Sequence, residues 1–305
     1  MLVIEGLTKT FPGKPTPALD AVSLEVRDGE ILGLVGLNGA GKTSTIRIAA
    51  GIALPSSGRV AVNGFDIVRD KAEASRHLGW VPEFPNFQPN ARATQQLRYY
   101  AGFHGLTGAS AEKRSEELLS MLGLAEAKDR KLRTYSQGMK KRFSLAAALL
   151  SDPEVFLFDE ILNGLDPQGV LQVRNLMLEL RKQNRAVLLS SHILAEVEHV
   201  ADRVAFVHEG KLLRTLSMEE IRSVAGTYLK VTVPDIDAAG VEYLQGLGKL
   251  DRDGDTFRIH DPRGDPADIN QELVRKGYRV RAIALESRGL ESLFFELVGT
   301  GKVAG

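Results

Sequence analysis

The sequence contains no cysteine, which excludes disulfides and thiolate metal sites and fits a cytosolic protein without requiring one. Its 39 basic and 39 acidic residues cancel, removing the simplest electrostatic case for binding nucleic acid or an anionic membrane. No apolar run approaches the roughly 18 residues that a bilayer-spanning helix needs. The opening "MLVIEGLTKTF" lacks the charged and long apolar regions of a signal peptide, so no export leader is expected. Any work at a membrane is then expected to proceed by docking onto another protein. The 305 residues leave room for one large core and a small second domain.

What is present begins with short apolar runs between helical patterns. "ILGLV" (31–35), "VFLF" (155–158) and "AVLLS" (186–190) each end in small or polar residues. Such runs predict strands buried on both faces, in a parallel sheet flanked by helices. "LVIEGLTKTF", "VSLEVRDGE" and "GRVAVNG" alternate or sit between turn signals, predicting an antiparallel portion beside that core. A Pro- and aromatic-rich loop, "FPNFQPN", opens a helical insert over 84–135, with helices expected near 94–103 and 110–122. "VAFVHEGKLLRT" (204–215) reads as a hairpin. The boundary is placed near 216–226, after which 227–299 reads strand, helix, two strands, helix, the strand "YRVRAIALE" (278–286) and a last helix. That βαββαβ order predicts a small ferredoxin-like α+β domain.

"GLNGAGKTS" (36–44) follows a strand and opens a helix, the context in which G-x-x-x-x-G-K-[ST] binds phosphate. Gly36, Gly39 and Gly41 let the backbone wrap close to phosphate oxygens with its N–H groups inward. Leu37, Asn38, Ala40 and Ser44 complete the nucleotide-binding candidates of this loop. The positive end of the following helix faces the same anion. Lys42 can reach the β- and γ-phosphates, and the Thr43 hydroxyl can ligate Mg²⁺. The motif alone does not separate a kinase, a GTPase and an ATP-driven motor.

In "VFLFDEILNGLDPQG" (155–169) two acids close an apolar run. Asp159 suits the carboxylate that Mg²⁺ needs beside Thr43. Glu160, next to it, suits a group that orients or deprotonates a water in line with the γ-phosphate. His192, after the run ending "SSH", could touch the γ-phosphate and hold that water. His77, His104 and His208 have no matching context and receive no role. Ser136 precedes a helix with apolar residues at Met139, Phe143, Ala146 and Leu150, one stripe facing a core. Such a cap, with Gly138 behind it, offers N–H groups to an anion, or simply caps an ordinary helix.

Taken together these motifs resemble the ABC-transporter ATPase family over roughly residues 1–215. The resemblance makes 36–43 Walker A, 155–159 Walker B, Glu160 the catalytic glutamate and His192 the switch histidine. "YSQGMKKRFSLAAALL" (135–150) is similar to the family's signature motif and helix, and "NGLDP" (163–167) to its D-loop with Asp166. It implies that Ser136, Gln137 and Gly138 meet the γ-phosphate of ATP held by the opposite subunit, with Asp166 in the turn crossing the interface. Phe11 matches the aromatic that stacks on adenine. Glu83 stands where glutamine is usual, near Mg²⁺ and the attacking water. Residues 84–104 match the region receiving a permease's coupling helix, with Phe84, Phe87, Tyr99, Tyr100 and Phe103 as apolar material. Gln137 replaces a signature glycine, and Ile161 and Leu162 stand where Pro and Thr are common.

The resemblance therefore implies an α/β P-loop ATPase core (1–215, helical subdomain about 84–150) and an accessory or regulatory domain (220–305). It implies ATP and Mg²⁺ as cofactors, with Lys42, Glu160 and His192 as catalytic groups and Thr43, Glu83 and Asp159 around the metal. The implied partners are a second ATPase subunit, in a homo- or heterodimer, and an integral-membrane permease. Nucleic acid is not an expected partner, and the implied location is the cytoplasmic face of the membrane. "YSQGM", Glu83 and "LESLFFELVG" look most like exporter ATPases for drugs, ions, lipids or polysaccharides. An importer ATPase with a regulatory C-terminal domain, or a soluble ABC ATPase, is the alternative. The DNA-acting soluble type needs a long coiled coil, and the ribosome-acting type usually two ATPase units, neither evident here.

Overall fold

The structure, a computed structural model, describes residues 1–287 and 289–300. The chain divides into two compact units, Met1–Ser217 and Met218–Gly305.

The first unit holds two sheets. One is antiparallel, ordered β2-β1-β4-β5, from β1 (Leu2–Lys9), β2 (Leu19–Val26), β4 (Ser57–Val62) and β5 (Phe65–Asp66). The other is ordered β10-β9-β3-β8-β7-β6, from β3 (Ile31–Val35), β6 (Leu78–Val81), β7 (Val155–Asp159), β8 (Ala186–Ser191), β9 (Arg203–His208) and β10 (Lys211–Ser217). Its pairings are parallel except the β9–β10 hairpin, whose turn residues Glu209 and Gly210 both take positive φ. β3, β7 and β8 are buried at every residue, as their unbroken apolar runs predict. Around the sheets lie α1 (Lys42–Ala49), α2 (Lys71–Arg76), α6 (Pro167–Lys182) and α7 (Leu194–Glu198).

Between β6 and β7 runs the helical insert: α3 (Ala93–Phe103), α4 (Gly108–Met121) and α5 (Gln137–Ala148), which pack on one another. Ser136 caps α5 by accepting from the Met139 N–H at 3.2 Å. The α5 expectation of one apolar stripe needs correction. Lys141, Ser144 and Leu145 are buried alongside Phe143 and Ala146, so the helix is enclosed on more than one face. Phe87 and Tyr135 each set a ring edge-on to Phe143, closing that side.

The second unit opens with α8 (Met218–Ala225), a helix in the stretch where the sequence suggests only a boundary. Then come β11 (Thr227–Thr232), α9 (Ala238–Leu247), β12 (Lys249–Asp253), β13 (Thr256–His260), α10 (Pro266–Arg275), β14 (Ala282–Ser287) and α11 (Leu290–Thr300). The sheet order β12-β13-β11-β14, all antiparallel, is that of a ferredoxin-like α+β fold. Its core joins Leu229, Val231, Phe257 and Ile259 to Leu244, Ile269 and Leu273 of the helices. The last strand begins at Ala282 rather than at Tyr278. Tyr278 instead closes the end of α10 through its N–H to Leu273 O at 3.0 Å and bonds its hydroxyl to the Asp237 cap of α9.

Candidate active site

Strands β3, β8 and β7 are neighbours and parallel, so their carboxyl ends open onto one edge of the sheet. Segments separated widely in sequence thereby meet: the loop after β3, the acids ending β7 and the histidine after β8. In open α/β sheets this edge is where ligands bind. A cleft of about 250 Å³ lies there, lined by Ala18, Asn38, Gly39, Gly41, Lys42, Thr43, Ser44, Glu83, Glu160 and His192.

The glycine-rich loop has the backbone its composition calls for. Gly39 and Gly41 take φ of +82° and +107°, and α1 starts at Lys42. Its first-turn N–H groups have no partner within the helix and provide positive potential for an anion. Lys42 is buried and curls back over the loop, its Nζ donating to Gly36 O at 2.7 Å and Leu37 O at 3.3 Å. It also lies 3.4 Å from Glu160 Oε1.

Asp159 ends β7, buried, with Oδ1 accepting from Ser190 Oγ at 2.8 Å and Thr43 Oγ1 at 3.2 Å. Burial raises its carboxyl above the ordinary range, while the Ser190 and Thr43 hydroxyls oppose that rise. A cation beside it would favour the ionised form. Among the described residues no group of three or more His, Cys, Asp or Glu makes a metal cage. The oxygen donors of Asp159 and Thr43, with Glu83 on the same cleft, fit Mg²⁺, which keeps waters and takes phosphate oxygens as further ligands.

Glu160 is held from several sides. Its backbone sits at φ +48°, a left-handed conformation uncommon for a residue with a side chain. Its N–H reaches Ser190 Oγ at 3.1 Å. Its Oε2 lies 2.9 Å from the His192 ring Nδ1 and accepts from the Asn163 side-chain amide at 3.0 Å. With Oε1 near Lys42, both carboxylate oxygens are oriented, in a position from which a water's proton could be taken.

Other candidates lie elsewhere. Phe11 is 43 % exposed, with Lys9 Nζ 5.0 Å from its ring centroid, and is not among the cleft-lining residues. Ser136 and Gln137 are exposed at the start of α5, and Gly138 lies against Leu165. Asp166 caps α6 by accepting from Gly169 N–H at 3.0 Å, and none of these four lines the cleft. Phe84, Tyr99 and Phe103 are exposed, the last two edge to face, while Phe87 and Tyr100 are half-buried.

Sequence reasoning misses Ala18, Asn163 and Lys141. Lys141 stands between Lys140 and Arg142, so it reads as part of a solvated charge run; burial lowers its pKa, against the pull of Glu83, Glu160 and Asp159. Asn163 was visible only as a turn residue, and Ala18 carries no chemical signal.

Comparison with known proteins places these features in context. Residues 19–163 match the family model described as ABC transporter. The bacitracin transport ATP-binding protein BcrA of Bacillus licheniformis is 33% identical over 302 residues, covering 97% of this chain and 97% of that protein. The daunorubicin/doxorubicin resistance ATP-binding protein DrrA of Streptomyces peucetius is 32% identical, covering 96% and 91%. A solved ATP binding subunit of an ABC transporter superposes with TM-score 0.68 at 29% identity, over 73% of this chain and 92% of its own. A dimeric ATP-binding cassette in a post-hydrolysis state with ADP and Pi shares the fold, with TM-score 0.66 at 22% identity over 72% and 99%.

Proposed function

Because the chain belongs to the ABC transporter ATP-binding proteins, we propose that it hydrolyses ATP in a head-to-tail pair of ATPase subunits and so drives export through a separate permease. The observation that carries the catalytic part is the Glu160 carboxylate, poised between Lys42, His192 and Asn163 at the phosphate-loop cleft. Transport of bacitracin and resistance to daunorubicin, named for two relatives, favour export of a drug-like compound.

In this reading the loop 36–44 cradles the phosphates with backbone N–H groups, and Lys42 turns from the Gly36 and Leu37 carbonyls to phosphate oxygens. Thr43, Asp159 and Glu83 hold Mg²⁺, which when bound offsets phosphate charge. Glu160 accepts the proton of the attacking water, and His192 fixes both that water and the carboxylate. Phe11 stacks on adenine with its exposed ring. Ser136, Gln137 and Gly138 reach the ATP of the second subunit, with Asp166 in the interface turn. The exposed aromatics Phe84, Tyr99 and Phe103 receive the permease. Among the described residues no helix is long and apolar enough to cross a membrane, which agrees with a peripheral subunit on the cytoplasmic face. Residues 220–305 serve as an accessory or regulatory domain.

Glu160→Gln keeps the side chain's size but removes its basicity, so the variant should bind ATP, stop hydrolysing it and accumulate as a dimer on size exclusion. Hydrolysis at the parental rate would refute the assignment. Co-purification of a polytopic membrane protein from detergent extract supports the transport role, whereas ribosomes or DNA would overturn it. ATP-driven uptake in the import direction, with that membrane protein in vesicles, would exclude the exporter reading.

A further inference from the structure

Lys141 is a buried cation that the hydrolytic scheme above leaves without a task. Its Nζ donates to three backbone carbonyls: Glu160 O at 2.8 Å, Ile161 O at 3.2 Å and Asn163 O at 2.6 Å. An ammonium has three N–H donors, and here all three go to one turn. Three carbonyl dipoles converging on one point repel each other unless a positive charge sits among them.

That turn is the one that presents the Glu160 carboxylate. It contains the left-handed backbone of Glu160, and its Asn163 side chain grips Glu160 Oε2. A strained conformation persists only where its surroundings over-determine it. The N–H of Asn163 to Glu160 O, at 3.2 Å, closes the turn from within. From outside, Ser190 Oγ takes the Glu160 N–H, and Lys141 takes the turn's carbonyls from α5, the helix capped by Ser136.

We propose that Lys141 is a positioning residue that fixes the 160–163 turn, and with it the Glu160 carboxylate, to the helix whose first turn meets the second subunit's nucleotide. The inference rests on the ATPase reading above and extends it to communication between sites. Lys141 stands little more than one helical turn beyond Ser136, so α5 carries both contacts as a single rigid element. Seating the partner's ATP at the start of α5 thereby steadies the Glu160 of this chain's own site. Lys141 touches neither water nor phosphate and acts through Glu160.

The test uses the full chain and two variants, Lys141→Met, which keeps an unbranched stem without donors, and Lys141→Gln, which keeps two N–H donors. Steady-state hydrolysis of Mg-ATP and binding of a fluorescent ATP analogue are measured, with folding checked by circular dichroism. In Lys141→Met kcat should fall by about 10²-fold, the scale of a misplaced catalytic group. KM and analogue affinity should stay within about twofold, and Lys141→Gln should recover part of the rate. Unchanged kcat in folded Lys141→Met, or loss of binding in parallel with rate, would overturn the proposal. If Lys141→Met does not fold, Lys141→Gln decides by the same split between kcat and KM. Failure of the unaltered chain to bind or hydrolyse ATP would instead overturn the function itself, and this inference with it.

Discussion

The ring Nδ1 of His192 lies 2.9 Å from Glu160 Oε2, bridging the ends of neighbouring strands β8 and β7. Together with the Asn163 amide at 3.0 Å, this contact fixes the orientation of the carboxylate. Replacing His192 with Ala should therefore lower kcat by about 10²-fold while leaving ATP binding close to parental. Hydrolysis assays paired with binding titrations check this; equal losses in both would assign the ring to nucleotide binding instead.

Gly36 marks the exit of β3. A Cβ built there would stand 2.3 Å from Val207 O and 3.0 Å from both Ala40 Cβ and Val207 Cγ2. The carbonyl belongs to the paired strand β9 and has little freedom to retreat. Gly36→Ala should cost about 1–3 kcal/mol through overpacking and displace the phosphate loop. Thermal melts without nucleotide should show the stability loss, and ATP-analogue titrations the weakened binding.

Acid should affect the antiparallel sheet through Asp66. Burial raises its pKa, but N–H donors of Arg69 and Val68 at 3.0 and 2.9 Å and the Arg59 guanidinium at 3.2 Å outweigh that and leave it lowered. A depressed carboxyl stabilises the fold fully above its unfolded pKa, near 3.8. The contribution disappears as pH falls through the lower folded value. Asp66→Asn should therefore be less stable than the parent at pH 6, with the gap shrinking as unfolding is measured at progressively lower pH. A constant gap would show that Asp66 acts without its charge.

In the second unit Phe257 is fully buried among Leu229, Val231 and Ile259. Phe257→Ala should destabilise that unit by about 3–5 kcal/mol. Hydrogen exchange at the amides of β11 and β13 reads this unit directly, which a single melting curve of a two-unit chain does not. Protection equal to the parent would mean the cavity collapses without penalty.

The parallel core and the phosphate loop are legible in the sequence. β3, β7 and β8 are runs with no polar interior, so burial on both faces followed directly, and their polar ends mark the cleft edge. The phosphate loop is local: its residues are adjacent in sequence and its glycines signal their own φ. Lys141 was not legible, because its partners are backbone carbonyls nineteen to twenty-two residues away and no residue type announces an acceptor. Tyr278 misled for a related reason. Its β-favouring neighbours suggest a strand, but the end of α10 and the Asp237 cap claim it first. α8 spans only eight residues and lies inside the stretch expected to be a boundary, where a short amphipathic helix is easily read as linker.

Thr227 and Ser287 face each other across β11 and β14, so the second unit's sheet is entered and left at one doorway. α8 and α11, which flank that doorway in the chain, also pack on each other. A module whose way in and way out coincide can be removed, exchanged or added without stretching the chain on either side. Because, among the described residues, no strand of the first unit pairs with this sheet, the second unit can be exchanged as one block without opening a ladder elsewhere.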